Sequence, residues 1–182
     1  SKMSKRDIGA SMETYMGEGY LPSAVINYLS LLGWSPKDDT EVMPVTELIE
    51  RFDLSGVQRA NARFDMVKLD WQNYEHIRAL PVEEFKNQAL GHLKTANIDT
   101  SSHEESYIEA AVATCADKIK NLNDFSDYIG FYFQKEVTFD KEAAEKALTP
   151  ENKPYLKALR EAFAVLVQFD ADSLQEALKA TA

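Results

Sequence analysis

The sequence predicts an all-α fold, and three observations carry that prediction. Apolar residues return at helical spacing in segment after segment, as in Leu21, Val25, Tyr28, Leu29 and Leu32, or Leu156, Leu159, Phe163, Leu166 and Val167. Residues that cap helices stand ahead of several of these runs. Only seven glycines and six prolines interrupt 182 residues, and 45% of the residues are hydrophobic, enough to bury a core.

The chain opens with Ser1-Lys2-Met3-Ser4-Lys5-Arg6, three cations and two hydroxyls just ahead of helical sequence. That composition suits a loop that closes over phosphates, because a lysine ammonium is a compact mobile charge and an arginine holds a second oxygen through its planar fork. A solvated basic terminus is the other reading of such a run. The stripe from Leu21 to Leu32 is a helix that Gly33 ends, and ordinary core packing accounts for it. Trp34-Ser35-Pro36-Lys37-Asp38-Asp39 is a polar loop, and Val45 to Phe52 a short helix. Asp65 caps a helix running to about Leu80, and Pro81 suits the first turn of the next.

Lys94 to Ser102 is polar and turn-rich. Ser102 and Glu105 have capping-box spacing, which predicts a helix from there to about Asn121. Asp124 starts another through Phe125, Tyr128, Phe131, Tyr132 and Phe133. Lys135 to Phe139 is extended or loop, Asp140 opens a short helix to Leu148, and Thr149-Pro150 marks a further start. Asp172 with Gln175 begins the last helix, which reaches Ala182 with no glycine or asparagine stop. A subdomain boundary is expected between Asn97 and Ser102, with Leu80-Pro81 as a second possibility.

Composition narrows the function classes. A single cysteine, Cys115, cannot form an internal disulfide, which points to a reducing compartment. No apolar run approaches the length needed to cross a bilayer. The net charge of −10 opposes RNA binding over the whole surface, yet residues 1–80 hold 9 Lys and Arg against 12 Asp and Glu, and residues 81–182 hold 11 against 18. RNA contact therefore fits the first half better. His76, His92 and His103 are scattered and suit surface or cap roles rather than a zinc site. Trp71 and Tyr74 suit a core, and the pairs Asp38-Asp39, Glu83-Glu84 and Glu104-Glu105 suit loops or first helical turns. No nucleophile has a matched base.

Motif order adds a resemblance. Lys2-Met3-Ser4-Lys5-Arg6-Asp7 has the form of the signature loop of class I aminoacyl-tRNA synthetases, and Gly19-Tyr20-Leu21-Pro22-Ser23 through Gly33-Trp34 follows directly. Phe52-Asp53-Leu54, then Phe64-Asp65-Met66-Val67-Lys68-Leu69-Asp70-Trp71-Gln72-Asn73, then Ile77-Arg78-Ala79-Leu80-Pro81 continue in matching order. Together they resemble bacterial-type glutamyl-tRNA synthetase, densely to about residue 85 and more loosely beyond. The His-x-Gly-His signature of class I enzymes is missing: His76-Ile77-Arg78 lies downstream of the loop and lacks the second histidine. The resemblance therefore implies a piece of a larger synthetase, lacking its active-site core and its extreme C-terminus and inactive alone.

In fold, the resemblance implies a helical bundle or cage of the anticodon-binding type: residues 1–10 as signature loop, 11–96 as a stem-contact subdomain and 97–182 as an incomplete anticodon-binding subdomain. In chemistry it implies activation of glutamate with ATP and Mg²⁺ and transfer to tRNA-Glu. Lys5 would contact the ATP phosphates, Lys2 and Ser4 would shape and orient this ATP-binding loop, to which Met3 also belongs, and Arg6 holds its variable last position. ATP, glutamate and Mg²⁺ would be held by the missing domain, with no cofactor on these residues. Candidate tRNA contacts are Arg59, Asn61, Arg63 and Lys68, where the family has smaller, serine-like residues around 59–63; a solvated linker with internally paired arginines is the alternative. The resemblance further implies a cytoplasmic monomer of bacterial origin, with an organellar origin left open. A helical protein-interaction module sharing the fold is the second functional reading. A tRNA-base-modifying relative is rejected, since such relatives lack the helical anticodon body.

Overall fold

The computed structural model describes residues 11–58 and 63–181, and among them helices and turns are joined by short loops without a strand. Ser11 Oγ accepts the Thr14 amide at 3.3 Å and starts α1 (Met12–Gly17). Gly19, at φ +85°, then turns the chain: the Tyr20 amide donates to the Tyr15 carbonyl and the Gly19 amide to the Met16 carbonyl, closing the helix end. Pro22 opens α2 (Pro22–Leu31), where its missing N–H costs nothing. Leu21, Val25 and Tyr28 of the predicted stripe are buried, but Leu29 is exposed, because the buried arc is shifted toward Asn27. The expected short helix is α3 (Val45–Arg51).

Asp65 Oδ1 accepts the amides of Val67 and Lys68 at 2.9 and 3.3 Å and caps α4 (Met66–Arg78), as the sequence indicates. Pro81 stands one position ahead of α5 (Val82–Thr95) rather than inside its first turn. Asn97, at φ 60°, ends α5: the Ile98 amide bonds the Leu93 carbonyl and the Asn97 amide that of Lys94.

α6 (Glu105–Ala113) is much shorter than predicted, and the Ser102–Glu105 box does not form; Glu104 takes the cap position without a side-chain bond. The helix gives out where Thr114 Oγ1 and Cys115 Sγ donate back to the carbonyls of Ala111 and Val112, while the backbone tightens to i+3 bonds. Asp124 holds the cap position of the next α-helix, as expected, but without a side-chain bond to that helix, and a 3₁₀ turn capped by Asn121 precedes it. Asn121 Oδ1 accepts the Asn123 amide and Asp124 Oδ2 the Asn121 amide, both at 2.9 Å, ahead of a 3₁₀ turn, α7 (Phe125–Ile129) and a second 3₁₀ turn, Gly130–Phe133.

Burial organises these elements into three apolar clusters. The largest joins Leu21 and Ala24 to Ile77, Phe85 and Leu93 and onward to Val112, Ile119 and Phe125. Tyr15, Tyr20, Val25, Tyr28 and Leu69 form the second, and Trp34, Met43 and Leu48 the third. The described chain divides between residues 136 and 137, whereas the boundary expected between Asn97 and Ser102 falls within the sequence span of the largest cluster.

Residues 137–182 form the second unit. Asp140 Oδ1 accepts the Ala143 amide at 2.7 Å and caps α8 (Lys141–Ala147). The helix expected from Thr149-Pro150 begins later, as α9 (Lys153–Ala164), with Pro154 in its first turn, so Leu166 and Val167 lie beyond its end and Val167 is exposed. Asp170, not Asp172, accepts the Ser173 amide and opens α10 (Ala171–Thr181). α9 and α10 pack together, with Phe163 edge-on to Phe169 at 6.2 Å.

Candidate functional site

Of the residues singled out from the sequence, Lys2, Met3, Ser4, Lys5, Arg6, Arg59 and Asn61 lie outside the described residues, and Arg63 and Lys68 lie within them. The structure builds the flanks of the 59–62 joint closely. Before it, the Ser35 amide donates to the Gly56 carbonyl at 3.1 Å, the Gln58 amide to that of Gly33 at 2.9 Å, and the Trp34 indole to that of Asp53 at 3.0 Å. Trp34 therefore belongs to a buried knot rather than a polar loop. A Cβ at Gly56 would meet Trp34 Nε1 at 2.5 Å, so glycine is what lets the two segments of this knot close. After the joint, the Asp65 amide donates to Tyr28 Oη at 2.5 Å, and Phe64 packs edge-on against Tyr28 at 5.0 Å. Arg63 is exposed immediately beside this anchor and makes no ion pair with a described residue.

Other cations nearby are engaged within the fold. Lys68 pairs with Glu41. The Arg51 fork takes Glu47 at 2.8 Å and Asp38. Asp38 is held below the ordinary carboxylate range by Thr40, through its hydroxyl and its amide, and then by Arg51. Lys37, left-handed at φ 68°, donates to Ser55 Oγ at 2.8 Å.

The outer face of α4 supplies what sequence reasoning missed. Lys68, Trp71, Tyr74 and Arg78 share that face at helical spacing, opposite the buried Leu69, Gln72, Asn73, His76 and Ile77. Trp71 is 41% exposed, which corrects its expected place in the core, and the Arg78 guanidinium sits 5.3 Å over the Tyr74 ring. An exposed indole beside a cation and a cation–π pair can stack unpaired bases and meet phosphates. The signal was the stripe itself, since Trp71 lies three residues after Lys68 on one side of the helix.

The histidines divide differently from expectation. His76 is buried, not a surface group, with Nε2 3.0 Å from Asn27 Oδ1, and burial lowers its pKa. His92 is half-buried near Phe125, and His103 stacks on Tyr107 at 5.0 Å. Among the described residues, no group of three His, Cys, Asp or Glu side chains is placed to hold a metal ion. A cavity of about 490 Å³ opens between α4, α5 and α6, walled by Ile77, Leu80, Phe85 and Val112. Lys86 on its wall meets Glu83, Glu105 and Glu109, each at 3.1 Å, so its charge is already shared.

Comparison with known proteins divides the chain within α4 instead. The family model described as tRNA synthetases class I (E and Q), catalytic domain, matches residues 1–71, and that of the anticodon binding domain matches residues 78–182. The chain is 42% identical over 182 residues to a glutamate–tRNA ligase of Akkermansia muciniphila, covering all of this chain and 40% of that protein. It is 35% identical over 183 residues to one from Elusimicrobium minutum, covering all of this chain and 37% of that protein. A crystal structure of a glutamate tRNA ligase from Elizabethkingia meningosepticum in complex with its amino acid has a TM-score of 0.76 and 30% identity, covering 92% of this chain and 33% of that one. The chain thus spans about two fifths of the length of these curated relatives.

Proposed function

Because this chain belongs to the glutamate–tRNA ligase family, we propose that its described residues dock the tRNA that a whole ligase charges with glutamate at the expense of ATP. The observation that carries the reading is an exposed Arg63, without an ion pair among the described residues, on the segment that leads into α4 and its exposed Trp71, both built on anchored backbone. Arg63 meets a phosphate, Trp71 and Tyr74 offer planes to bases, and Arg78 adds a second cation. Lys68 contributes less, because Glu41 competes for it. Arg59 and Asn61 stand in the same joint by sequence and share its proposed role.

Lys2, Met3, Ser4, Lys5 and Arg6 are proposed to meet the ATP phosphates in the whole protein, with Lys5 stabilising charge as pyrophosphate leaves. No described cluster of carboxylates or imidazoles fits Mg²⁺, so no step is assigned to a metal held by these residues. No described helix is long and apolar enough to cross a membrane, and a bacterial cytoplasmic monomer is the setting we propose. Titration with tRNA-Glu and with an unrelated tRNA across several salt concentrations tests the reading. Preferential tRNA-Glu binding that weakens with salt supports it. No binding at low salt withdraws the RNA assignments and favours a protein partner for this fold.

A further inference from the structure

The two family matches leave residues 72–77 between them, and that interval lies within α4. Its buried side carries Gln72, Asn73 and His76, three polar residues where apolar ones would be ordinary. Asn73 is the one that reaches both matched segments. Its Oδ1 accepts the Leu21 amide at 2.8 Å, and its Nδ2 donates to the Lys120 carbonyl at 3.0 Å and lies 3.5 Å from the Gly19 carbonyl. Lys120 belongs to the irregular stretch after α6, whose backbone bonds are mostly i+3 turns. Across the same seam the Leu122 amide donates to the Gly19 carbonyl at 3.0 Å, and the side chains of Asn121 and Asn123 donate to the carbonyls of Glu18 and Gly17 at 2.8 and 3.2 Å. Of these side-chain links, the Asn73 amide is the buried one.

We propose that Asn73 is a positioning residue: it clamps the 114–121 stretch to the Gly19–Leu21 turn and so fixes the first matched segment and the part of the second before residue 137 in one register. The α4 face proposed above to meet RNA is then held fixed against the parts that flank it, a consequence that rests on the docking reading above. The shared apolar cluster does not supply this by itself. Apolar burial is non-directional, whereas an amide whose acceptor and donor are both engaged is satisfied at one register alone. Removing it leaves the Leu21 amide and the Lys120 carbonyl without that partner.

The chain carries its own reporters. Trp34 and Trp71 lie in the first matched segment, and the sole cysteine, Cys115, lies buried in the second. Burial pushes the Cys115 thiol up to about 11, so labelling near pH 8 requires that stretch to open. In Asn73→Ala, labelling of Cys115 should accelerate about tenfold or more beyond what the tryptophan-detected urea midpoint accounts for. Leu69→Ala, a core truncation on the same helix, should change labelling only in step with that midpoint. Asn73→Asp keeps the acceptor for Leu21 and loses the donor to Lys120; it gives the same labelling result and serves if the alanine variant does not fold. Labelling in both Asn73 variants that merely tracks the midpoint overturns the clamp. Affinity for tRNA-Glu should fall about fivefold or more in Asn73→Ala, although the side chain is buried; unchanged affinity overturns its positioning role. Absence of binding by the unsubstituted chain would instead defeat the docking reading, and the labelling result still decides the clamp.

Discussion

Nε2 of His76 lies 3.0 Å from Oδ1 of Asn27, and the same oxygen accepts the Met43 amide proton at 2.9 Å. An amide oxygen only accepts, so Nε2 carries the ring proton in the neutral histidine. Burial lowers the His76 pKa from an ordinary 6.5, so below that value the unfolded chain binds the extra proton more readily than the folded one. This contribution to stability is therefore complete above about pH 6.5 and declines as the pH falls toward the folded value. Urea midpoints measured from pH 7.5 to 5 should drop, and His76→Gln should flatten the upper part of that decline. Parallel curves would exclude His76 as the source.

Gly19 and Asn121 approach too closely for any side chain at position 19. A Cβ there would lie 1.9 Å from Asn121 Oδ1, and φ is +85°. Gly19→Ala should cost about 2 kcal/mol or more, through both the clash and the left-handed backbone. Equilibrium urea denaturation checks this, and a loss well under ~1 kcal/mol would show that the seam relaxes freely.

Lys86 gathers carboxylates from two helices, with Glu83 on α5 and Glu105 and Glu109 on α6. Hydrogen bonds to Glu83, Glu105 and Glu109 hold its pKa above the ordinary lysine value. Lys86→Met should lower Tm by leaving three acidic groups facing one another. Adding Glu109→Gln to that variant should recover part of the loss, although Glu109→Gln alone lowers Tm. Additive losses would mean that the carboxylates do not interact through the lysine.

Trp71→Ala should change stability by less than about 1 kcal/mol, because the ring is 41% exposed, yet weaken tRNA-Glu binding by about fivefold or more. Arg63→Ala should reduce the salt slope of binding by about 1 and Lys68→Ala by less, since Glu41 already holds the lysine. Equal slopes for the two variants would remove the distinction drawn between them.

Local chemistry was the legible part of the fold. Asp65 and Asp140 each satisfy amides within three residues, so the helices they open stand where the sequence places them. α6 stops early because Thr114 and Cys115 donate to carbonyls behind them, a competition that an apolar stripe does not reveal. Gln72, Asn73 and His76 look like solvent-facing positions of a helix, and only partners 31 to 54 residues away make them interior. For the site, Arg63 is exposed beside α4 as the sequence suggests, but the Lys68–Glu41 pair spans 27 residues and could not be read locally. Trp71 was legible in type but not in direction, since Trp71 and Tyr74 are equally aromatic and differ in exposure.

The seam between residues 17–21 and 120–123 has a consequence for synthesis on the ribosome. Asn121 bonds the carbonyl of Glu18 across 103 positions of sequence, so that carbonyl lacks this partner until the nascent chain has grown that much further. At about 5–20 residues per second, the helices on either side of the Gly19 turn wait roughly 5–20 s for that partner. During that delay they remain open to chaperones, and slowing translation before residue 123 lengthens the exposure.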